Sequence, residues 1–392
     1  MRIEKWVLVC AVGFVLADGM IAVAASGPDA KPPAPIFTQT DLFVSGTDGY
    51  HTFRIPSLIV TSKGTLLAFC EGRRNNRSDT GDIDVVLKWS ANNGAIWQPM
   101  KVVADDGPNT IGNPCPVVDG GTIWLLLTRN LGSDTEGRIF DGTSKESRTV
   151  WVSGSTDDGM TWQKPKEITQ TTKSPDWTWY ATGPGVGIQL RSGRLVIPCD
   201  NAVGSGKRRQ SHVIYSDDRG ATWKLGGVVS DRVNECQVVE RDDGSLLLNM
   251  RGYRDRNCRA IATSTDAGLT WSEASDDPAL IEPVCQASLL RYTSGRAGGK
   301  SRLLFSNPAS KRREKVTVRL SYDEGKTWPV SKRLYDGWSA YSCLTVLPDM
   351  TIGCLYERGE KSASEKITFA RFNLEWLTDG ADRLVPTPSA GK

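Results

Sequence analysis

An eight-residue pattern, Ser-x-Asp-x-Gly-x-Thr-Trp, recurs along this 392-residue chain and limits what it can fold into. Copies start at Ser155 (STDDGMTW), Ser216 (SDDRGATW), Ser264 (STDAGLTW) and Ser321 (SYDEGKTW). A degraded copy starts at Ser90 (SANNGAIW), with Asn92 in place of Asp and Ile96 in place of Thr. Intervals of roughly 50–65 residues are too long for a helical solenoid and fit one four-stranded propeller blade with its loops. Each copy reads as a β-turn: Asp accepts backbone N–H groups, Gly supplies a positive φ, and Trp staples the hairpin to its blade. The copies set architecture and leave the chemistry to other residues.

Between the copies, apolar and β-branched runs alternate with turn residues, and no long stretch has a 3.6-residue period. Three hairpins share one form. One leaves Arg54 through IPSLIV, turns at Ser62-Lys63-Gly64 and returns to Arg73; a second leaves Glu235, turns at Asp242-Asp243-Gly244 and returns to Arg251. The third leaves Tyr341, turns near Pro348-Asp349 and returns to Glu357. Each hairpin has a polar residue at both open ends, and antiparallel pairing brings those ends together. In a propeller the open ends of inner hairpins surround the axis on one face, so these six residues are expected to converge there. Arg313, after the strand RLLFS, and Asp79, on the loop RNNRSDTGD, should reach the same rim. Several arginines aimed at one point repel one another unless carboxylates or an anionic ligand offset them.

The ends and composition add limits. MRIEK, an apolar stretch from Trp6 to Ala25 and the small residues before Ser26 read as a secretory signal over 1–25, followed by a Pro/Ala linker to residue 36. The folded domain is expected over 37–378 and a tail over 379–392. Export to a secreted or periplasmic site follows, or a lysosomal or extracellular one in a eukaryote, with no stable membrane insertion. Net charge is only +3, so no nucleic-acid partner is expected. Most cysteines sit inside apolar strands and read as buried thiols, with Cys236 and Cys258 the first pair to examine for a disulfide. With two histidines and no Cys-x-x-Cys, a zinc site has no support.

His51-Thr-Phe-Arg54-Ile-Pro56 followed by these repeats resembles the exo-α-sialidase (neuraminidase) family of glycoside hydrolases, over roughly Phe37 to Leu377. The resemblance implies a six-bladed β-propeller of four-stranded antiparallel blades, in which one blade lacks the motif. KITFARFNLEWL would be the closing strand, paired with the N-terminal segment. By resemblance Arg54, Arg251 and Arg313 form an arginine triad, with Arg312 the adjacent competitor for the third place. Asp79 matches the acid/base, Glu235 and Tyr341 the base and nucleophile, Glu357 the carboxylate orienting Arg54, and Arg73 a further basic residue. No metal or organic cofactor is implied, and the implied partners are sialylated glycans: glycoproteins, glycolipids and oligosaccharides.

The chemistry fits these residue types. Sialic acid carries a carboxylate on its anomeric carbon, which guanidinium forks bind through charge-assisted hydrogen bonds. That carboxylate disfavours an anionic nucleophile, and a tyrosine is neutral until a base takes its proton. Asp82 and Asp84 compete with Asp79 for the acid's place, and DWTWYATGPG puts Trp179 or Tyr180 against the substrate. A propeller that only binds sialoglycans would need the arginines alone, and a glycosidase of neutral plant glycans would not need them. A trans-sialidase would use the same residues.

Overall fold

The computed structural model describes residues 34–204, 208–230 and 232–384. The leader expected over 1–25, linker residues 26–33 and tail residues 385–392 lie outside the described residues. What is described is a β-propeller arrangement of antiparallel sheets. Four blades stand alone: Phe37–Val44 with Trp338–Phe372 strands, then one each over 177–229, 233–281 and 288–333. The remaining strands form one eight-stranded sheet over 52–167. Six separate blades are therefore not what the pairing gives. The physical reason is a single parallel pairing, Ile83↔Thr110, that fuses the strands over 52–104 to those over 110–167.

Strand character changes from the axis outward. Second strands such as Leu66–Arg73 and Leu195–Val203 are buried along their whole length, because neighbouring sheets cover both faces. Fourth strands such as Lys101–Ala104 and Val330–Arg333 are largely exposed and short. In the closing sheet Phe37–Val44 pairs antiparallel with Lys366–Phe372, from Phe37↔Phe372 to Val44↔Lys366. The last residues of the expected closing strand instead form a short helix, Leu374–Leu377, capped by the Asn373 side chain.

Every box joins the third and fourth strands of its set. In the second, the Asp157 carboxylate accepts from Thr161 N at 2.9 Å and from the Thr161 hydroxyl at 2.5 Å. The Ser155 hydroxyl donates to Asp157 at 2.8 Å and accepts from Gly159 N at 3.0 Å. The degraded copy keeps this frame: Asn92 Oδ1 accepts from Ile96 N at 2.9 Å and loses only the threonine hydroxyl. The residue before each Gly also lies at positive φ: Asn93, Asp158, Arg219, Ala267 and Glu324, between 56° and 67°.

The staple reaches further than its own blade. A Cβ at Gly94 would fall 2.3 Å from Phe369, at Gly159 2.6 Å from Leu67, and at Gly220 2.2 Å from Trp124, each on the preceding set of strands. Trp97 packs edge-on to Phe369 at 5.1 Å and Trp162 to Phe69 at 5.7 Å in the same way. Each box therefore docks its strands onto their predecessors. In the closing sheet the third and fourth strands are opposite ends of the chain, so no turn exists to carry a box. There the Leu374–Leu377 helix packs with Leu320 and Leu334, and Arg302 holds Asp382 through two 2.7 Å bonds.

All eight described cysteines are free and buried. Cys236 and Cys258 are thus not a disulfide: Cys236 points its thiol at the Cys199 carbonyl, 3.3 Å away, on the neighbouring sheet. Among the described residues no helix is long and apolar enough to cross a membrane.

Candidate active site

First strands are irregular where they reach the axis. Register shifts fall between Arg54 and Ser57, Gly112 and Cys115, Val233 and Cys236, and Ser339 and Ser342. Bulges of this kind re-aim side chains, and three of the four carry a residue of the expected site. At the first, Ile55 has φ 62°, a strained conformation for a β-branched residue. Its N–H is held by Glu357 Oε1 at 2.9 Å, and the same oxygen accepts from Arg54 Nε at 2.7 Å. Glu357 Oε2 accepts from Tyr341 N at 3.2 Å. Wholly buried, this one carboxylate positions the first arginine, the strained turn and the tyrosine.

Above it lies a cavity of about 230 Å³ lined by Arg54, Arg73, Asp79, Glu235, Arg251, Arg313 and Tyr341. Seven of the eight expected residues thus line one cavity, and Glu357 stands behind Arg54 and Tyr341. The Tyr341 hydroxyl donates to Glu235 Oε1, while Arg251 Nη1 reaches Glu235 Oε2 at 2.7 Å and the Tyr341 oxygen at 3.3 Å. Arg54 and Arg313 lie 5.1 and 5.7 Å from the centre of the Tyr341 ring. Burial and the Glu235 charge push the Tyr341 phenol well above its usual pKa, against the pull of Arg251 and Arg313. The resting tyrosine is therefore protonated, and its proton already points at a carboxylate.

Asp79 sits at the loop side of the cavity. The buried Arg73 guanidinium binds Glu71 Oε2 at 2.7 Å and Asp79 Oδ1 at 2.7 Å. Burial raises the Asp79 pKa, but Arg73, Arg54 and Arg148 outweigh it and hold the carboxyl below its ordinary value. The two competing aspartates are elsewhere: Asp84 is buried under Tyr50 and Arg74, and Asp82 pairs with Arg74. Arg312, with its side chain 66% exposed beside Glu314, does not line the cavity, whereas Arg313 does. Trp179 lines it and Tyr180 is buried behind, packed on Trp177 and His212.

Apart from Trp179, the far wall is not legible in the sequence. Arg148 lies over the Trp179 ring at 4.4 Å, Trp179 stacks on Phe140 at 5.0 Å, and Arg209 covers Phe140 and Tyr253 at 4.5 Å each. Glu136 completes it from the short helix Glu136–Asp141. Arg148 and Tyr253 lie on loops, Glu136 and Phe140 on the short helix, and Trp179 and Arg209 on the strands Trp177–Thr182 and Arg208–Ser216, so no single periodicity marks them. Glu71 was legible, since it closes the same apolar strand as Arg73 and pairs across the hairpin with Arg54. In all, six arginines face four carboxylates around the cavity, an imbalance suited to an anion. Among the described residues no cluster of three or more His, Cys, Asp or Glu is disposed to hold a metal ion.

The fold and its turns define a BNR-repeat propeller: the BNR repeat-like domain matches residues 64–354. The chain is 36% identical to an exo-alpha-sialidase of Arthroderma benhamiae, over 90% of this chain and 89% of that protein. It is 35% identical to a sialidase of Micromonospora viridifaciens, over 94% of this chain, and spans 60% of that longer protein. Among solved structures, a Hadza microbial sialidase superposes with a TM-score of 0.78 at 35% identity, covering 85% of this chain and 68% of that one. The chain belongs to the sialidase family.

Proposed function

We propose that this protein is an exo-α-sialidase that releases terminal sialic acids from glycoproteins, glycolipids and oligosaccharides with retention of configuration. The observation that carries the reading is the Tyr341–Glu235 hydrogen bond beside the arginines, in a cavity that Asp79 also lines. Arg54, Arg251 and Arg313 bind the sugar carboxylate. Glu235 takes the phenolic proton as the Tyr341 oxygen bonds to the anomeric carbon, and Asp79 gives its proton to the departing glycosidic oxygen. Water then attacks that carbon, Asp79 removes its proton, and Tyr341 leaves and recovers its proton from Glu235. Arrival of the substrate carboxylate offsets the arginine charges that depress Asp79, which raises its pKa toward the range an acid needs. The family's sialidase names and the complete acid, base and nucleophile set favour hydrolysis over mere binding.

The eight-stranded sheet reads as two four-stranded blades touching at one position, which would bring the ring to six. Residues 37–378 form the catalytic domain in this reading, and 1–25 direct export. The test is release of free sialic acid from sialyl-lactose by the purified protein, followed by NMR from the first turnover. The α-anomer appearing first supports retention; no release, or the β-anomer first, overturns the proposal.

A further inference from the structure

A second recess, about 270 Å³, adjoins the catalytic cavity and shares Arg54 and Arg313 with it. Its other walls are Arg77, Ala340, Ala363 and Ser364, with Glu357 at its base. Glu357 is fully engaged by Arg54 and two backbone N–H groups. Arg77 has no carboxylate partner among the described residues, and its side chain borders open space. Three guanidiniums therefore face one carboxylate already in use. A bound sialic acid would supply one negative charge, to Arg54 and Arg313, and leave the exposed Arg77 able to meet a further anion.

The position of Arg77 decides what could compensate it. It lies two residues from Asp79, a chain span of at most about 7 Å. One buried side chain fixes both: Arg73 Nη1 donates to the Arg77 carbonyl at 2.7 Å, and Arg73 Nη2 binds the Asp79 carboxylate at 2.7 Å. Asp79 is the group beside the departing oxygen, so whatever hangs on that oxygen passes along the loop that carries Arg77. Turns at Asn76–Ser78 and Ser78–Thr80, and mutual Gly81–Thr110 bonds at 3.1 and 2.9 Å, hold this loop in shape.

Resting on the sialidase reading above, we propose that this recess is an aglycone subsite for negatively charged aglycones and that Arg77 is its specificity-determining residue. The fitting substrate is a sialoside whose next sugar carries its own anion, either the carboxylate of a second sialic acid or a sulfate. Ala340 and Ala363 leave room there for a sugar ring, and Ser364 offers a hydroxyl at its edge.

The experiment compares kcat/KM on disialyl-lactose, a sulfated sialyl-lactose and neutral sialyl-lactose for wild type, Arg77→Gln and Arg77→Lys. Wild type should favour the anionic aglycones, and added salt should erode that preference. Arg77→Gln should lose about tenfold on the anionic substrates with the neutral one unchanged, and Arg77→Lys should recover part of it. Preference for disialyl-lactose alone identifies the carboxylate as the ligand, and preference for both identifies any anion. An unchanged ratio in Arg77→Gln, or equal losses on all three substrates, overturns this inference alone. No sialic acid from any substrate overturns the sialidase reading and this inference with it.

Discussion

Replacing Glu357 by Gln separates its charge from its shape. The native carboxylate accepts three hydrogen bonds, at 2.7 Å from Arg54, 2.9 Å from Ile55 N and 3.2 Å from Tyr341 N. A glutamine keeps one accepting oxygen and must turn an NH₂ toward one set of donors. The cheaper orientation keeps the oxygen on Arg54 and Ile55 and sets the NH₂ against Tyr341 N, forfeiting one bond and the ion pair. A hydrogen bond to a charged group contributes about 1.5–3 kcal/mol, so Glu357→Gln should destabilise by that amount. Glu357→Ala leaves a buried guanidinium and two N–H groups without acceptors and should cost about 3–5 kcal/mol. Guanidinium chloride unfolding at constant m measures both. Activity should report the same geometry, because the displaced N–H belongs to the residue proposed as nucleophile: in Glu357→Gln kcat should fall at least about tenfold, with any folding defect corrected by active fraction. A Gln variant within about 0.5 kcal/mol of wild type and with unchanged kcat would refute the role assigned to Glu357, since surface-like tolerance of that size is incompatible with it.

Four other outcomes are expected. Arg313→Lys, which keeps charge but loses the fork, should lower kcat/KM at least about tenfold, while Arg312→Lys stays within about threefold; the reverse would exchange their roles. Asp79→Ala should lose about 10²–10⁴-fold more on sialyl-lactose than on an aryl sialoside with an acidic phenol, whereas Tyr341→Phe should lose similarly on both. As a general acid Asp79 works protonated and fails as pH rises through its pKa, which lies below the ordinary value in the free protein. The alkaline limb of kcat, measured with the substrate carboxylate in place, should therefore sit at higher pH than that of kcat/KM, and coincident limbs would count against it. Trp223, 2% exposed, should cost about 3–5 kcal/mol as Ala, clearly more than the half-buried Trp162, by denaturant midpoint.

Sequence made the turns and the ends of strands legible because both rest on local chemistry. The boxes declare themselves through side chains bonding their own backbone, and a period-2 hairpin puts Arg54 and Arg73, or Glu235 and Arg251, at one end without further information. What bends the strands there was hidden. Nothing in FRIP says that Ile55 adopts φ 62°, because the conformation is imposed by Glu357, three hundred residues on. The far wall was hidden for a related reason: Arg148, Phe140 and Arg209 come from a loop, a short helix and a strand, and meet only through tertiary stacking. The docking of each box onto the strands before it is hidden too, since Gly94 and Phe369 face each other from opposite ends of the chain. Blade count was misread at one place, where a single parallel bridge merges two strand sets.

Five joints between sets of strands carry a box and are built alike, whereas the joint held by the Leu374–Leu377 helix and the Arg302–Asp382 pair is of a different make. Arg54, Arg251 and Tyr341 come from three different sheets and Arg313 from a loop of a fourth, so the spacing of the cavity is the circumference read at its hub. Any loosening of that one seam is felt at the centre as a widening between guanidiniums. Conversely, on the proposed reading, an anion spanning three of them would act as a keystone, its binding free energy adding to the closure of the whole ring by mass action. The box-less joint is thus the place where mechanical integrity and ligand grip become the same quantity.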